Sequence, residues 1–179
     1  MKISISKLDA AKRQLEMALN LFFRNADPVS IHTLVGAAHQ VLQDICEEQG
    51  TQSIKQKLLD MVKPEKKTEF IKKLNAPRNF FKHAENDPNS VIEFNPEMTD
   101  LILWDTCLMY TTLTQENPAI IQVFNAWNYA NSPEILILPD QVREKLDLAI
   151  TGLKLNPQNR IGFLELVPLI ENNLYGQTT

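Results

Sequence analysis

Three residues near the middle of the chain have side chains that together suit cleavage of a phosphodiester. Arg78, Asn79 and His83 lie within six residues. A histidine transfers protons near neutral pH, and a guanidinium supplies a permanent positive charge with forked donors for a phosphate. An amide can hold either group or the ligand in place. We interpret the three as candidate catalytic residues for RNA cleavage without a metal, with one group moving the 2′-hydroxyl proton and another stabilising the phosphorane.

The same three residues have a structural interpretation, which the sequence leaves open. Arg78 would then pair with an acid, Asn79 would cap or brace a helix, and His83 would donate to a carbonyl of the loop at 86–90. In either case residues 78–84 are predicted to be helical. Asn79 and His83 are four residues apart and would share one helix face. Arg78 is offset from His83 by about 140°, but its long side chain can reach the same cleft.

Lysines surround this segment. Residues 55–82 contain nine basic and three acidic residues, although the whole chain has a net charge of −4. A basic face on an acidic protein attracts phosphate-bearing ligands locally. The alternative is a solvated, lysine-rich helix face. The predicted RNA- or anion-binding residues are Lys66, Lys67, Lys72, Lys73 and Lys82.

The composition predicts an all-α fold. The chain has 179 residues, of which 44% are hydrophobic and only 5 are glycine. Straight-chain residues are plentiful, and these lose little rotamer freedom in a helix. We predict a multi-helix bundle of about seven to eight helices, joined by short irregular or extended segments such as residues 91–94.

Apolar periodicity and asparagine– or aspartate–proline helix starts locate the helices. Pro77 is predicted to kink the fourth helix, or to lie in the first turn of a new helix that Asn75 caps. Pro168 is predicted to bend or end the last helix. Residues 131–133 suggest a boundary between a bundle over residues 1–130 and a C-terminal helical extension, residues 131–179, packed on the same domain. The predicted helices cover residues 6–24, 28–48, 53–62, 65–84, 95–114, 117–129, 140–154 and a last helix from 156.

His32, His39 and Cys46 are seven residues apart and share one face of the second helix. Seven residues rise about 10.5 Å, too far for ligands of a single ion. We interpret the three as a stripe of polar and small residues at a helix interface, in which one histidine could line a pocket. A metal-bound bundle would need His32, His39 and His83 to converge from different helices. We predict neither a metal site nor a cofactor.

The sequence also bears on location. Cys46 and Cys107 lie in apolar helical patterns, which indicates reduced core residues. No apolar run reaches the roughly 18–20 residues of a membrane span, and the charged N-terminal segment is unlike a signal peptide. We therefore expect a cytoplasmic protein without a membrane partner.

The segment Arg78-Asn79-Phe80-Phe81-Lys82-His83 resembles the R–polar–x–x–x–H signature of the HEPN superfamily. The resemblance implies an all-α bundle, often dimeric, with metal-independent endoribonuclease activity and frequent roles in toxin–antitoxin or antiphage systems. It also implies that Arg78, Asn79 and His83 are the active residues and that two copies of the motif meet at the dimer interface. The expected partners are RNA, a second copy of the chain, and a protein partner such as an antitoxin.

A second function remains open at this stage. The chain could be a non-catalytic helical module that binds a protein partner, a nucleotide or another anionic ligand through the same basic face. This alternative predicts no RNA cleavage.

Overall fold

The computed structural model describes residues 2–51, 53, 56, 59–60, 62–85, 87–134 and 138–176. These residues form helices and contain no β-strand, which confirms the predicted all-α, multi-helix fold. Residues 91–94 are irregular. The helices are α1 (Lys7–Phe23), α2 (Pro28–Glu48), α3 (Pro64–Phe80), α4 (Glu97–Thr114), α5 (Ala119–Asn131), α6 (Asp140–Gly152), α7 (Arg160–Leu164) and α8 (Val167–Gly176).

The start of α2 has the cap and the first-turn proline from which this helix was predicted. Asp27 accepts a hydrogen bond from the backbone N–H of Ser30 at 2.8 Å. Pro28 occupies the first helical position, where a missing N–H costs nothing. Gly50, just beyond the end of α2, adopts the left-handed conformation with φ +70. The predicted helix at 28–48 is confirmed to the residue.

The structure decides between the two alternatives predicted for α3 at Pro77, and it corrects the predicted end of the helix. The helix is continuous through Pro77, so no new helix begins after Asn75. It ends at Phe80, so the prediction that residues 81–84 are helical was wrong. The Asn79 carbonyl accepts from the N–H groups of both Lys82 and His83, at 3.2 and 3.1 Å, which closes the last turn.

The aromatic residues beside this turn explain where the helix ends. Phe81 packs edge to face against Phe94, with ring centroids 5.2 Å apart, and against His32 at 5.7 Å. These contacts join residues distant in sequence, and such packing overrides a local helical pattern.

The C-terminal prediction also needs correction. A single helix from residue 156 was expected, but the chain forms two, α7 and α8. Pro168 does not end a helix, because it lies in the first turn of α8, where proline is tolerated.

Contacts divide the chain into two compact units. The first comprises Met1–Ala18 with Asp27–Glu116, and the second comprises Leu19–Ala26 with Asn117–Thr179. The predicted division into residues 1–130 and 131–179 stays a prediction. In the first unit α2 packs along α4 and against α3. Its buried side chains include Val35, Ala38, Leu42, Leu103, Cys107 and Tyr110.

The second unit has an aromatic core in which α5 packs against α7 and α8. The Arg160 guanidinium lies 3.9 Å from the Phe22 ring centroid and 5.2 Å from that of Trp127. The indole N–H of Trp127 donates to the Pro157 carbonyl at 2.9 Å. Phe22, Phe124, Trp127 and Phe163 are almost completely buried.

Two further predictions concern the helix at 53–62 and the membrane. Gln56, Leu59 and Asp60 are helical, as predicted, and the other residues between 54 and 61 lie outside the described part of the chain. None of the helices built from described residues combines the length and hydrophobicity that crossing a membrane would require.

Candidate functional site

A cavity of about 160 Å³ lies among α2, α3 and α4, within the first unit. Helix α2 contributes His32, Gly36 and His39 to its wall, which are spaced by four and three residues and so share one helix face. The walls from the other two helices are largely apolar, with four polar or charged residues among them. These residues are Lys73, Leu74, Asn75, Pro77 and Arg78 from α3, and Met98, Leu101, Ile102, Trp104 and Asp105 from α4.

His39 and Asp105 form a buried hydrogen-bonded pair at one side of the cavity. The His39 Nε2 atom lies 2.9 Å from Asp105 Oδ2, and both side chains are less than a tenth exposed. Because a carboxylate only accepts, the imidazole donates from Nε2. A buried carboxylate is tolerated only with such partners, so this pair joins α2 to α4 at one defined position.

His32 lies one helical turn before Gly36 and is only 1% exposed. Its Nδ1 atom is 3.0 Å from the Thr99 hydroxyl, and the rings of Phe81 and Phe94 pack edge to face against it. The buried Nε2 atom has no hydrogen-bond partner among the described residues. An unsatisfied buried polar atom costs about 1–3 kcal/mol, so this nitrogen requires an explanation.

Burial determines the charge of this histidine. Burial, together with the smaller effect of the positive charges of Arg78 and Lys82, lowers the pKa of His32 from 6.5 to about 4. His32 is therefore a neutral imidazole at pH 7, with one nitrogen that donates and one that accepts.

A pH-dependent loss of stability follows from this pKa. Below pH 6.5 the unfolded chain protonates this histidine, whereas the folded chain does so only near pH 4. Stability is therefore lost as the pH falls from 6.5 to 4, by about 3 kcal/mol at roughly 1.4 kcal/mol per pKa unit. Urea unfolding at pH 7.0 and 4.5 measures this loss.

The matched variants for this experiment are His32→Phe and His83→Phe. The variant His32→Phe should lack most of the loss of stability that protonation of His32 causes between pH 7.0 and 4.5. The variant His83→Phe should retain that loss. An equal pH dependence in the wild type and His32→Phe would contradict the assignment.

Arg78 is half-buried in the cavity wall. Its Nη1 atom donates to Gln40 Oε1 at 2.5 Å, and the Gln40 amide donates in turn to Asp44 at 2.6 Å. Gly36 makes room for the arginine, because a Cβ added at Gly36 would lie 3.3 Å from Arg78 Cγ. The aliphatic part of Arg78 thus packs on α2 where a side chain is missing.

The other two predicted catalytic residues lie elsewhere. Asn79 is exposed on the last turn of α3, and His83 is exposed beyond the end of the helix. They do not line the cavity that contains Arg78. Within one chain Arg78 lines the cavity, whereas Asn79 and His83 are exposed and do not line it. The catalytic roles of the three residues stay predictions.

The predicted RNA-binding lysines are exposed or half-exposed on and beside α3. Glu69 pairs with Lys73 at 3.0 Å and with Lys66 at 3.3 Å, and these cations lower the pKa of its carboxyl group. Lys67 lies 3.9 Å from Asp60. Such surface pairs are weak and exchange readily, so they leave the lysines able to contact a phosphate. Lys72 and Lys82 are exposed, and burial of part of the Lys82 side chain lowers its pKa.

The predicted histidine stripe is confirmed as a helix interface, and both of its histidines line the cavity. Cys46 is buried on the same face and Cys107 is buried on α4, both as free thiols. Burial raises the pKa of both thiols, which disfavours the reactive thiolate. In the described part of the chain no three histidine, cysteine or acidic side chains converge closely enough to hold a metal ion, and His83 does not line the cavity with His32 and His39.

Sequence reasoning missed Asp105 and Gln40. Asp105 had a usable signal, because it is the lone charged residue in the apolar segment from Leu101 to Tyr110. A charge in such a segment predicts a buried partner. Gln40 had no comparable signal, since a glutamine on a helix is ordinarily exposed.

The chain matches no protein-family model, and neither a curated protein nor a solved structure shows significant similarity to it. The resemblance carried by residues 78–83 therefore rests on those six residues.

Proposed function

We propose that this chain is a metal-independent endoribonuclease of the HEPN type, which acts as a homodimer. The observation that carries the proposal is the arrangement at the C-terminal end of α3. Arg78 is held by Gln40, whereas Asn79 and His83 are exposed within the next five residues. The motif thus combines a fixed cation with an exposed proton-transfer group.

In this proposal His83 takes the proton from a ribose 2′-hydroxyl. The 2′-oxygen attacks phosphorus, the bond to the 5′-oxygen breaks, and that oxygen takes a proton from water as it leaves. The protonated His83 then gives its proton to the hydroxide that remains. The products are a 2′,3′-cyclic phosphate and a 5′-hydroxyl. Arg78 stabilises the extra negative charge on the phosphorane, and Asn79 orients the phosphate or the imidazole.

The positions of the groups favour a site completed by a second chain. Arg78 lies in a cavity wall and His83 lies outside that cavity. Because the C-terminal end of a helix is the negative end of its dipole, the side chains of Arg78 and Lys82 must supply the attraction for phosphate.

A protein partner such as an antitoxin would inhibit the enzyme by covering this end of α3.

The lysines of α3 would hold the RNA backbone. Lys66, Lys67, Lys72 and Lys73 occupy one exposed helix that leads to the motif. Counterion release then makes affinity fall steeply with salt. Binding that is independent of salt would argue against this role.

The test is RNA cleavage by purified protein in the presence of EDTA. His83→Ala and Arg78→Ala are each expected to reduce the cleavage rate about a hundredfold or more. Matched controls are Glu85→Ala, exposed two residues beyond His83, and Arg143→Ala, an exposed arginine on α6; both should retain wild-type rates. Full activity in His83→Ala would overturn the proposal.

Mixing the two inactive variants tests whether the site is shared between chains. A mixed dimer of Arg78→Ala and His83→Ala contains one intact Arg78–His83 combination if each site takes one residue from each chain. Activity should then return to about a quarter of the wild-type level, since half the dimers carry one of two sites. No recovery, with dimers present, would place both residues of a site in the same chain.

The non-catalytic alternative is distinguished by the same experiment. A binding module would retain salt-dependent RNA or anion binding, and no variant or condition would show cleavage.

A further inference from the structure

We propose that the cavity among α2, α3 and α4 is a binding site for a small organic monoanion, namely a carboxylic acid with a compact apolar or aromatic body. This inference concerns a different ligand from RNA, and it does not rest on the proposed ribonuclease function. The size of the cavity, the chemistry of its walls, the buried His32 nitrogen without a partner among the described residues, and the charges each support it.

The cavity has the size and lining of a small-molecule site. Its volume of about 160 Å³ far exceeds the roughly 10–15 Å³ that a cavity needs in order to hold one water, and apolar cavities of about 150 Å³ accept a benzene-sized ligand. Leu74, Ile102 and Trp104 provide apolar walls. A mostly apolar pocket with a few convergent polar groups is typical of ligand sites.

Two side chains in the wall, those of His32 and Arg78, have donor groups available for a ligand oxygen. His32 contributes the buried Nε2 atom that has no partner among the described residues. Arg78 uses Nη1 for Gln40, and a guanidinium has five N–H donors in all. If the Thr99 hydroxyl donates to Nδ1, the proton of the neutral imidazole lies on Nε2. A ligand oxygen would then accept from His32 and Arg78 together.

The charges in the wall select a monoanion. Arg78 supplies one positive charge inside, and Lys73 supplies another at the exposed rim, where it also pairs with Glu69. His39 and Asp105 are already paired with each other. The Asp105 carboxylate would repel a second negative charge, and His32 offers a hydrogen bond without a charge. A carboxylate therefore suits the cavity better than a phosphate dianion.

The rim offers an entrance. Met98 and Leu101 line the cavity and are 38% and 56% exposed, respectively. Exposed apolar side chains beside a cavity are a common feature of ligand entrances. We expect the apolar body of the ligand to contact these residues and its carboxylate to lie deeper, between Arg78 and His32.

The chain is well suited to a direct test, because it has only three histidines. We would label histidine with ¹⁵N and follow the imidazole signals by NMR during titration with phenylacetate, indole-3-acetate and hexanoate. At least one acid should shift the His32 signals and fix the proton on Nε2, while the exposed His83 signals stay unchanged. Phenylacetamide is an uncharged analogue of phenylacetate. Its affinity should be lower than that of phenylacetate by about tenfold or more.

Matched variants locate the site. Leu101→Trp fills the rim and should abolish binding, whereas Leu148→Trp, at an exposed position of α6 (75% exposed), should leave it intact. Arg78→Gln should weaken carboxylate binding about tenfold or more, and Arg143→Gln should not. Leu101 and Leu148 are both exposed, so the fold should tolerate a tryptophan at either position.

Three outcomes would overturn the proposal. The first is that none of the three acids shifts the His32 signals up to its solubility limit. The second is that phenylacetamide binds as tightly as phenylacetate, which would exclude recognition of the charge. The third is that inorganic phosphate alone binds as tightly as the acids, which would make the site a simple anion site. RNA cleavage and its dependence on His83 would be unaffected by any of these results.

Discussion

Replacement of His39 by leucine is expected to lower the free energy of unfolding by about 2–3 kcal/mol, because it removes a hydrogen-bond donor from a buried carboxylate. His39 and Asp105 are 6% and 4% exposed and lie 2.9 Å apart at closest approach. The substitution would leave the Asp105 carboxylate buried without the imidazole. Urea unfolding at pH 7 measures the change.

The control is His83→Leu. It makes the same substitution at an exposed histidine and should change stability by about 0.5 kcal/mol or less. Asp105→Asn keeps an acceptor oxygen for the His39 N–H and should cost less than His39→Leu. A similar small effect at both histidines would show that the buried pair does not stabilise the fold.

A double variant separates the pair from its surroundings. His39→Leu combined with Asp105→Leu replaces both partners by apolar side chains, so no carboxylate remains buried. We expect the double variant to be more stable than His39→Leu alone, because paired polar groups can often be exchanged for apolar ones at little cost. Additive losses would indicate that the two side chains act independently.

Truncation of Phe124 to alanine is expected to cost about 3–5 kcal/mol, as for other large aromatic side chains in cores. Phe124 is 0% exposed and lies at the centre of the aromatic core of the second unit. Its ring packs edge to face on Phe22, with centroids 5.3 Å apart, and stacks on Trp127 at 5.8 Å. The variant would lose these contacts and leave a cavity.

Tryptophan fluorescence can report this change locally. The chain has two tryptophans, and Trp104→Phe would leave Trp127, which contacts Phe124, as the single probe. In this background Phe124→Ala should shift the unfolding midpoint strongly, while Leu148→Ala at the exposed position of α6 should shift it little. A loss below about 1 kcal/mol for Phe124→Ala would contradict the core assignment.

The helices themselves were largely predictable from the sequence. Helices α2, α4 and α5 each start at or directly after a proline that follows an asparagine or aspartate, and the apolar spacing predicted how far each helix extends. These signals are local, because a cap or a first-turn proline acts on backbone groups within four residues.

The sequence did not predict the end of α3, where contacts with residues distant in sequence compete with the local helical pattern. The chain leaves the helical path after Phe80, since Phe81 packs on Phe94 and His32.

For the candidate functional residues, too, the sequence predicted some properties and the tertiary structure determined others. The sequence by itself identified Arg78, Asn79 and His83 as a group suited to phosphate chemistry, and it indicated that His32 and His39 share a buried helix face. Only the tertiary structure joined His39 to Asp105 and Arg78 to Gln40, residues separated by 66 and 38 positions. It also placed Arg78 beside His32 in one cavity, apart from His83. Helical periodicity determines which residues share a face, whereas the packing of helices around the whole core determines which faces meet.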